Sequence, residues 1–326
     1  MQGKIALEEH FATEEFVEEA KRFFIHEGSE VWERARATMC DITGERLELM
    51  NEAGIEKAIL SLTSPTIQAI LDTGKAIDAA RRVNEYIANQ IRDHRDRFEA
   101  FAALPTQDSA AAAKELRRCM EEYGFKGALI NGFCQIGDPD VPIYLDDPRY
   151  IDFWGEVAKL DVPVYIHPRP TVEPVRKAEF DGHTWMATAG WGWHAQLGTH
   201  VLRLIASGVF DRYPSLQIVL GHMGEPLPMF IWRTTNREIS HKRESKAERP
   251  IREYFERNVN ITTSGNCSTP ALMCAVMEMG ADRIMFSTDY PYETMKQNAD
   301  WFDNIPFSYN DKLKMGRTNA ERLFKL

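Results

Sequence analysis

Eight short apolar runs recur along the chain, separated by stretches of mostly helical pattern, and this rhythm limits the possible folds more than any other feature. The runs are KIAL (4–7), KAILSL (57–62), FEAFAAL (98–104), KGALI (126–130), VPVYI (162–166), LQIVL (216–220), VNITT (259–263) and RIMFS (283–287). Between them, ERLELMNEA (45–53) spaces apolar residues three and four apart and stops at Gly54, as an amphipathic helix does. The stretch 75–92 repeats the pattern. So does DSAAAAKELRRCMEEYG (108–124), with Asp108 or Ser109 as N-cap and Gly124 as the stop. Further helices are expected around 149–159, 195–207, 270–279 and 311–323. Eight strand–helix units predict an α/β chain folded as a (β/α)8 TIM barrel. A doubly wound sheet would place a glycine-rich phosphate turn after its first strand. Here two acids and a histidine stand there instead.

No Pro/Gly/Ser-rich linker divides the sequence, so residues 1–326 read as one domain. Two segments exceed ordinary loop length. Residues 11–40, after the first run, carry FVEEAKRFF and SEVWERARATM as expected helices. Residues 168–193, after the fifth run, carry Trp185, Trp191 and Trp193. Insertions at the C-terminal face of a barrel serve as lids or pocket walls.

The strand ends concentrate unusual residues. Side chains alternate along a strand, so Glu8 and His10 in IALEEHF share one side and Glu9 takes the other. With Ile5 and Leu7 packed outward, Glu8 and His10 face the barrel mouth. Taken alone, this is the pattern of a solvated acidic loop. Other runs end alike: VYIHP places His167 at its tip, IVLGHMGE places His222 and Glu225, and MFSTDYP places Asp289. A single histidine past a strand is usually a satisfied core residue. Several acids and imidazoles at one barrel rim instead call for a cation to offset their charge. Glu8, His167 and Asp289 offer two oxygens and one nitrogen, with His10 as a fourth ligand. That donor set suits one divalent ion, Mn²⁺ by preference and Zn²⁺ as the alternative. Asn131, ending the fourth run, can offer an amide to a bound oxygen. Arg233 in PMFIWR reads as a surface arginine or as a two-pronged clamp for a substrate carboxylate. Arg46 reads as a surface helix arginine. His194 and His200 read as packing or surface residues, with His194 within reach of the pocket beside Trp193.

Composition narrows the partners. The formal net charge is −10, and no dense Lys/Arg run appears, which argues against nucleic acid. No apolar run approaches the roughly 20 residues that span a bilayer. The basic and apolar regions of a secretion signal are missing from MQGKIALEEH. Five cysteines without CxxC spacing read as free thiols in the cytoplasm.

Over nearly its whole length the chain resembles the hydroxybenzoate decarboxylases of the amidohydrolase superfamily. The resemblance lies in GKIALEEHF, YGFKGALING, FWGEVAKLDVPVYIHPR, GVFDRYPSLQIVLGHMGE, ITTSGN, ADRIMFSTDYPYE and TNAERLFKL. It implies an amidohydrolase-type barrel, one divalent metal per subunit, a homodimer or homotetramer, and a small aromatic carboxylate as substrate. The implied ligands are Glu8, His167 and Asp289, with His10 at or beside the metal. The implied substrate contacts are His222, Glu225 and Arg233, walled by Trp191 and Trp193. Two segments depart from the family pattern: PRPTVEP after His167, and GWGWHA, which carries the additional His194. Hydrolases of the superfamily usually begin with His-x-His and bridge two metals with a strand-4 lysine. Here Glu8 takes the first position and Asn131 ends the fourth run, so a single metal is expected. The implied reaction is non-oxidative, reversible decarboxylation of an ortho-hydroxybenzoate such as 2,6-dihydroxybenzoate. Asp289 would protonate the ring, assisted by His222 and Glu225. The alternative is a mononuclear hydrolase or lactonase in which Asp289 is the base.

Overall fold

Each of the eight runs forms strand in the computed structural model, which describes residues 1–21, 29–241 and 244–326. The strands are β1 (Lys4–Phe11), β2 (Ile55–Leu62), β3 (Phe98–Ala100), β4 (Ala102–Ala103), β5 (Ala128–Asn131), β6 (Val164–His167), β7 (Ile218–Leu220), β8 (Val259–Thr262) and β9 (Ile284–Met285). β3 and β4 are the two halves of the third run, parted at Phe101. Every neighbouring pair is parallel, in the orders β1-β2-β3 and β4-β5-β6-β7-β8-β9. The ends join through a parallel bridge between Glu9 and Tyr290. His10 N–H donates to the Tyr290 carbonyl at 2.7 Å, and Asp289 N–H to the Glu8 carbonyl at 3.0 Å. Eight parallel strand positions closed in this way form the expected (β/α)8 barrel.

Its interior is packed by Ile5, Leu7, Ile59, Phe101, Leu129, Tyr165, Val219 and Met285, with Ala320 and Phe324 from the last helix. Ile5 and Leu7 therefore point inward, opposite to the expectation from simple alternation. The register of β1 against β2 slips between Ala6 and Glu9. This bulge turns Leu7 and Glu8 toward the same side and resets the parity, so Glu8 and His10 still face the mouth. Ser287 Oγ accepts both amides of the bulge, from Leu7 at 3.1 Å and Glu8 at 2.6 Å.

Outside the strands, helices bury one face each. In Ser109–Tyr123 that face is Ala112, Glu115, Leu116 and Cys119. Burying Leu116 fully is worth roughly 2 kcal/mol. Asp108 caps this helix by accepting from Ala111 N–H at 2.9 Å, and Gly124 ends it at φ 65°, a left-handed turn that glycine adopts freely. The helix Leu227–Ser240 carries Arg233, which reads from sequence as a helix-surface arginine. Its Met229, Phe230, Trp232 and Ile239 are all exposed, which blurs the one-sided pattern that marks a helix in sequence. In the insertion after β1, SEVWERARATM lies in the helix Ser29–Cys40. Of FVEEAKRFF, Val17–Ala20 is helical, and residues 22–24 lie outside the described residues. Among the described residues, no helix is long and apolar enough to cross a membrane.

Candidate metal centre and active site

Glu8 is the best-anchored side chain at the mouth. Its Oε2 accepts from the hydroxyls of Tyr165 and Ser264, and from Thr262 Oγ1 at 3.5 Å. Three donors on one oxygen leave the other, Oε1, aimed at the imidazoles. It lies 3.1 Å from His167 Nε2, 3.4 Å from His222 Nε2 and 3.8 Å from His10 Nε2. His10 is held from behind: its Nδ1 meets Ser61 Oγ at 3.1 Å, so Nε2 is the nitrogen presented to the mouth. That Nε2 is 3.3 Å from Asp289 Oδ1, but too misaligned to hydrogen-bond. Gly221 supplies clearance, since a Cβ there would collide with the Glu8 carboxylate.

One ligand atom from each of Glu8, His10, His167 and Asp289 lies within 4.8 Å of the others. Glu8 Oε1, His10 Nε2 and Asp289 Oδ1 are buried yet without a hydrogen-bond partner. Buried polar atoms converging without partners are costly on their own, and a divalent cation would satisfy all of them. The residues fit the metal that the sequence implies, with carboxylate and imidazole donors suited to Mn²⁺ or Zn²⁺.

The charges are mutually adjusted. Burial opposes ionisation of Glu8, but His222, His10 and His167 outweigh it and hold the carboxyl well below its usual range. Burial likewise opposes the charge on Asp289, and His10 and His222 reverse that and lower it. Against burial, Asp289 and Glu8 raise His10 to about 9. His222 is raised well above its ordinary value by Glu8 and Glu225 despite burial. His167 is lowered, chiefly by burial. These neighbours push Asp289 toward its charged form and His222 toward its protonated form.

The loop after β7 brings His222 and Glu225 into place. His222, Met223, Gly224 and Glu225 all have positive φ, at 47°, 66°, 74° and 56°, and Asp289 has φ 66°. Left-handed backbone at non-glycine residues costs energy and is held only by its surroundings. His222 Nδ1 meets Glu225 Oε1 at 2.8 Å. His194, read as a packing or surface residue, instead contacts the other oxygen of Glu225 through Nδ1.

Not every expected site residue joins the cluster. Trp193 does line the mouth, its ring 6.3 Å from that of His167. Trp191 is 48% exposed. Asn131 is buried; its Nδ2 donates to the carbonyls of Leu62 at 3.4 Å and Thr63 at 3.2 Å, while its Oδ1 is buried without a hydrogen-bond partner. Arg233 is exposed and lines a surface hollow with Thr234, Arg237, Glu238 and His241. Arg46, read as a surface residue, is fully buried over the Tyr290 ring and donates to the His10 carbonyl at 2.8 Å. The hydroxyls of Tyr165, Thr262 and Ser264 had no sequence signal, because such residues are ordinary in strands and their ends.

The amidohydrolase family profile matches residues 12–326. The chain belongs to the amidohydrolase family. Among its relatives is the gamma-resorcylate decarboxylase of Rhizobium sp. (strain MTP-10005), 48% identical over 328 residues, covering 100% of this chain and 99% of that one. A crystal structure of 2,6-dihydroxybenzoate decarboxylase complexed with 2,6-dihydroxybenzoate superposes with a TM-score of 0.96 at 48% identity, covering 100% of both chains. The dihydroxybenzoic acid decarboxylase of Polaromonas sp. JS666, solved with bound manganese and the inhibitor 2-nitroresorcinol, gives a TM-score of 0.96 at 46% identity, covering 100% of this chain and 98% of that one. This member of the amidohydrolase family thus shares its whole length with decarboxylases of hydroxybenzoates.

Proposed function

We propose that this amidohydrolase, acting as one barrel domain over residues 1–326, catalyses non-oxidative decarboxylation of an ortho-hydroxybenzoate. The first candidate is 2,6-dihydroxybenzoate, which yields CO₂ and resorcinol. The observation that carries this reading is the four-residue cluster, with Glu8 pinned by three hydroxyls and its free oxygen turned to the mouth. Glu8, His10, His167 and Asp289 would hold one divalent ion, Mn²⁺ by preference and Zn²⁺ as the alternative. Bound there, the ion would supply the positive charge that holds the substrate carboxylate and its ortho oxygen.

The chain's own residues handle the proton. Asp289 passes a proton to the ring carbon that bears the carboxylate. The bond to the carboxylate then breaks, its electron pair returns to the ring, and CO₂ leaves. One proton is consumed per turnover. His222, whose Nε2 lies 3.5 Å from Asp289 Oδ2, restores it. Glu225 orients His222 from the far side, and Trp193 walls the mouth beside His167.

A homo-oligomer is part of this reading. Met229 and Trp232 are 78% and 65% exposed on one helix, apolar side chains that a second copy would cover. Arg233 is exposed on the same helix, where a second copy packed on this face would bring it against an anionic substrate. Five free thiols fit a reducing cytoplasm.

The test is direct. Protein reconstituted with Mn²⁺ and given 2,6-dihydroxybenzoate should release CO₂ and resorcinol in equal amounts. An intact benzoate, together with opening of a lactone substrate, would instead make it a hydrolase.

A further inference from the structure

His194 has no part in the reaction drawn above, yet it completes a chain of contacts that ends at the metal ligands. Glu225 is fully buried at its side chain, and each of its oxygens is taken by a different imidazole. Oε1 faces His222 Nδ1 at 2.8 Å and Oε2 faces His194 Nδ1. The second nitrogen of His222 lies 3.4 Å from Glu8 Oε1 and 3.5 Å from Asp289 Oδ2. The His194 and His222 rings stand edge to face, 5.9 Å apart.

The two halves of this chain rest on different supports. His194 sits in the first turn of the 15-residue helix Gly192–Ala206, a rigid base. Glu225 and His222 sit on a loop whose four consecutive residues have positive φ and which has no regular ladder to hold it. A carboxylate on such a loop can swing about its side-chain torsions, and a second anchor removes that freedom.

We propose that His194 is a positioning residue: it clamps the outer oxygen of Glu225 so that the inner oxygen fixes the orientation of His222 beside Glu8 and Asp289. The kinetic consequence rests on the decarboxylase reading, but the geometric one does not. Partners one step removed from a metal site commonly change affinity or activity by about 10–100-fold, and His194 should fall at the lower end.

The experiment compares the wild type with His194→Ala and His194→Asn. Asn places an N–H donor near the position of the imidazole Nδ1–H. In zinc-loaded, diamagnetic protein, proton NMR should show a strongly deshielded His222 Nδ1–H, identified by its loss in both Glu225→Gln and His222→Gln, the second of which leaves the His194 Nδ1 contact with Glu225 in place. His194→Ala should move or broaden that signal, and His194→Asn should restore it. With Mn²⁺ and 2,6-dihydroxybenzoate, His194→Ala should lower kcat about 10-fold with KM changed less than about two-fold, and His194→Asn should recover most of the loss. An unchanged signal and kcat in His194→Ala overturns the proposal. So does a loss in His194→Ala that His194→Asn fails to repair in a folded protein of full metal content. If wild-type protein releases no CO₂, the decarboxylase reading fails, and the NMR comparison still decides the role of His194.

Discussion

Glu8 and Glu9 are consecutive on β1 and both have no solvent exposure, yet the barrel treats them in opposite ways. Glu8 faces the mouth, where imidazoles overcome the effect of burial and keep its carboxylate charged. Glu9 faces the seam between the first and last strands. It accepts from Ser287 Oγ at 3.0 Å, from Thr288 N–H at 2.9 Å and from Thr288 Oγ1 at 2.6 Å. Burial prevails over these donors and over Arg46, and raises Glu9 to about 7. Hydroxyls and amides satisfy a buried carboxyl as hydrogen-bond partners, but they offset its charge less than cations do. One face of the strand is built to keep a negative charge for a metal, and the other to lock the barrel shut.

The difference can be broken most severely at Glu8. Glu8→Gln preserves shape but removes the charge. Metal measured after dialysis against excess Mn²⁺ should fall from stoichiometric to trace, and turnover should be lost with it. Full metal content in this variant would end the assignment of the inner face. Asp289→Asn comes next. It should cut turnover by about 10³-fold, while the thermal melting of the metal-free protein stays close to that of the wild type. A wild-type rate with metal bound would remove Asp289 as the acid. Tyr165→Phe takes one of the three hydroxyls from Glu8 Oε2. Metal affinity, measured by chelator competition, should weaken by about 10–100-fold. An unchanged affinity would mean that Thr262 and Ser264 suffice to aim the carboxylate.

How far the sequence foretells this contrast depends on what each residue's role rests upon. The strands were legible because each run is a block of β-branched and apolar residues bounded by polar ones. The four residues of the candidate metal cluster were legible because they stand just past such blocks, where a barrel keeps its chemistry. The inward direction of Glu8 was foreseen by an argument that put Ile5 and Leu7 on the wrong side, and only the bulge at Leu7–Glu8 saved it. A bulge leaves no composition signal. The left-handed turns at His222, Met223, Glu225 and Asp289 were equally invisible, since tertiary contacts impose them on residues that do not favour them. Arg46 misled because the period of its helix says which face a residue occupies, not that a charged one there will find backbone carbonyls to bond. His194 was underrated because its partner Glu225 lies on a different element, the loop after β7, a pairing that spacing along its own helix cannot show.

The mildest test lies on the outer face. Glu9→Gln keeps a side chain able to accept from Ser287 and Thr288 N–H and to donate to Thr288 Oγ1, so metal affinity and turnover should change little. What should change is the pH dependence of stability. The ordinary value for Glu9 is 4.5 and the folded value is about 7. Below about pH 4.5 both folded and unfolded chains carry the proton, and this group contributes no penalty. Between about 4.5 and 7 the folded state keeps a proton that the unfolded state has released, so wild-type stability declines as pH rises. Above about 7 the loss is complete, on the order of 3 kcal/mol. Glu9→Gln has no such proton to lose. Its denaturation midpoint relative to the wild type should therefore climb between about pH 4.5 and pH 7 and level off above that. Parallel pH curves for the two proteins would mean that Glu9 stays charged in its seam, and that the two faces of β1 are less different than their surroundings imply.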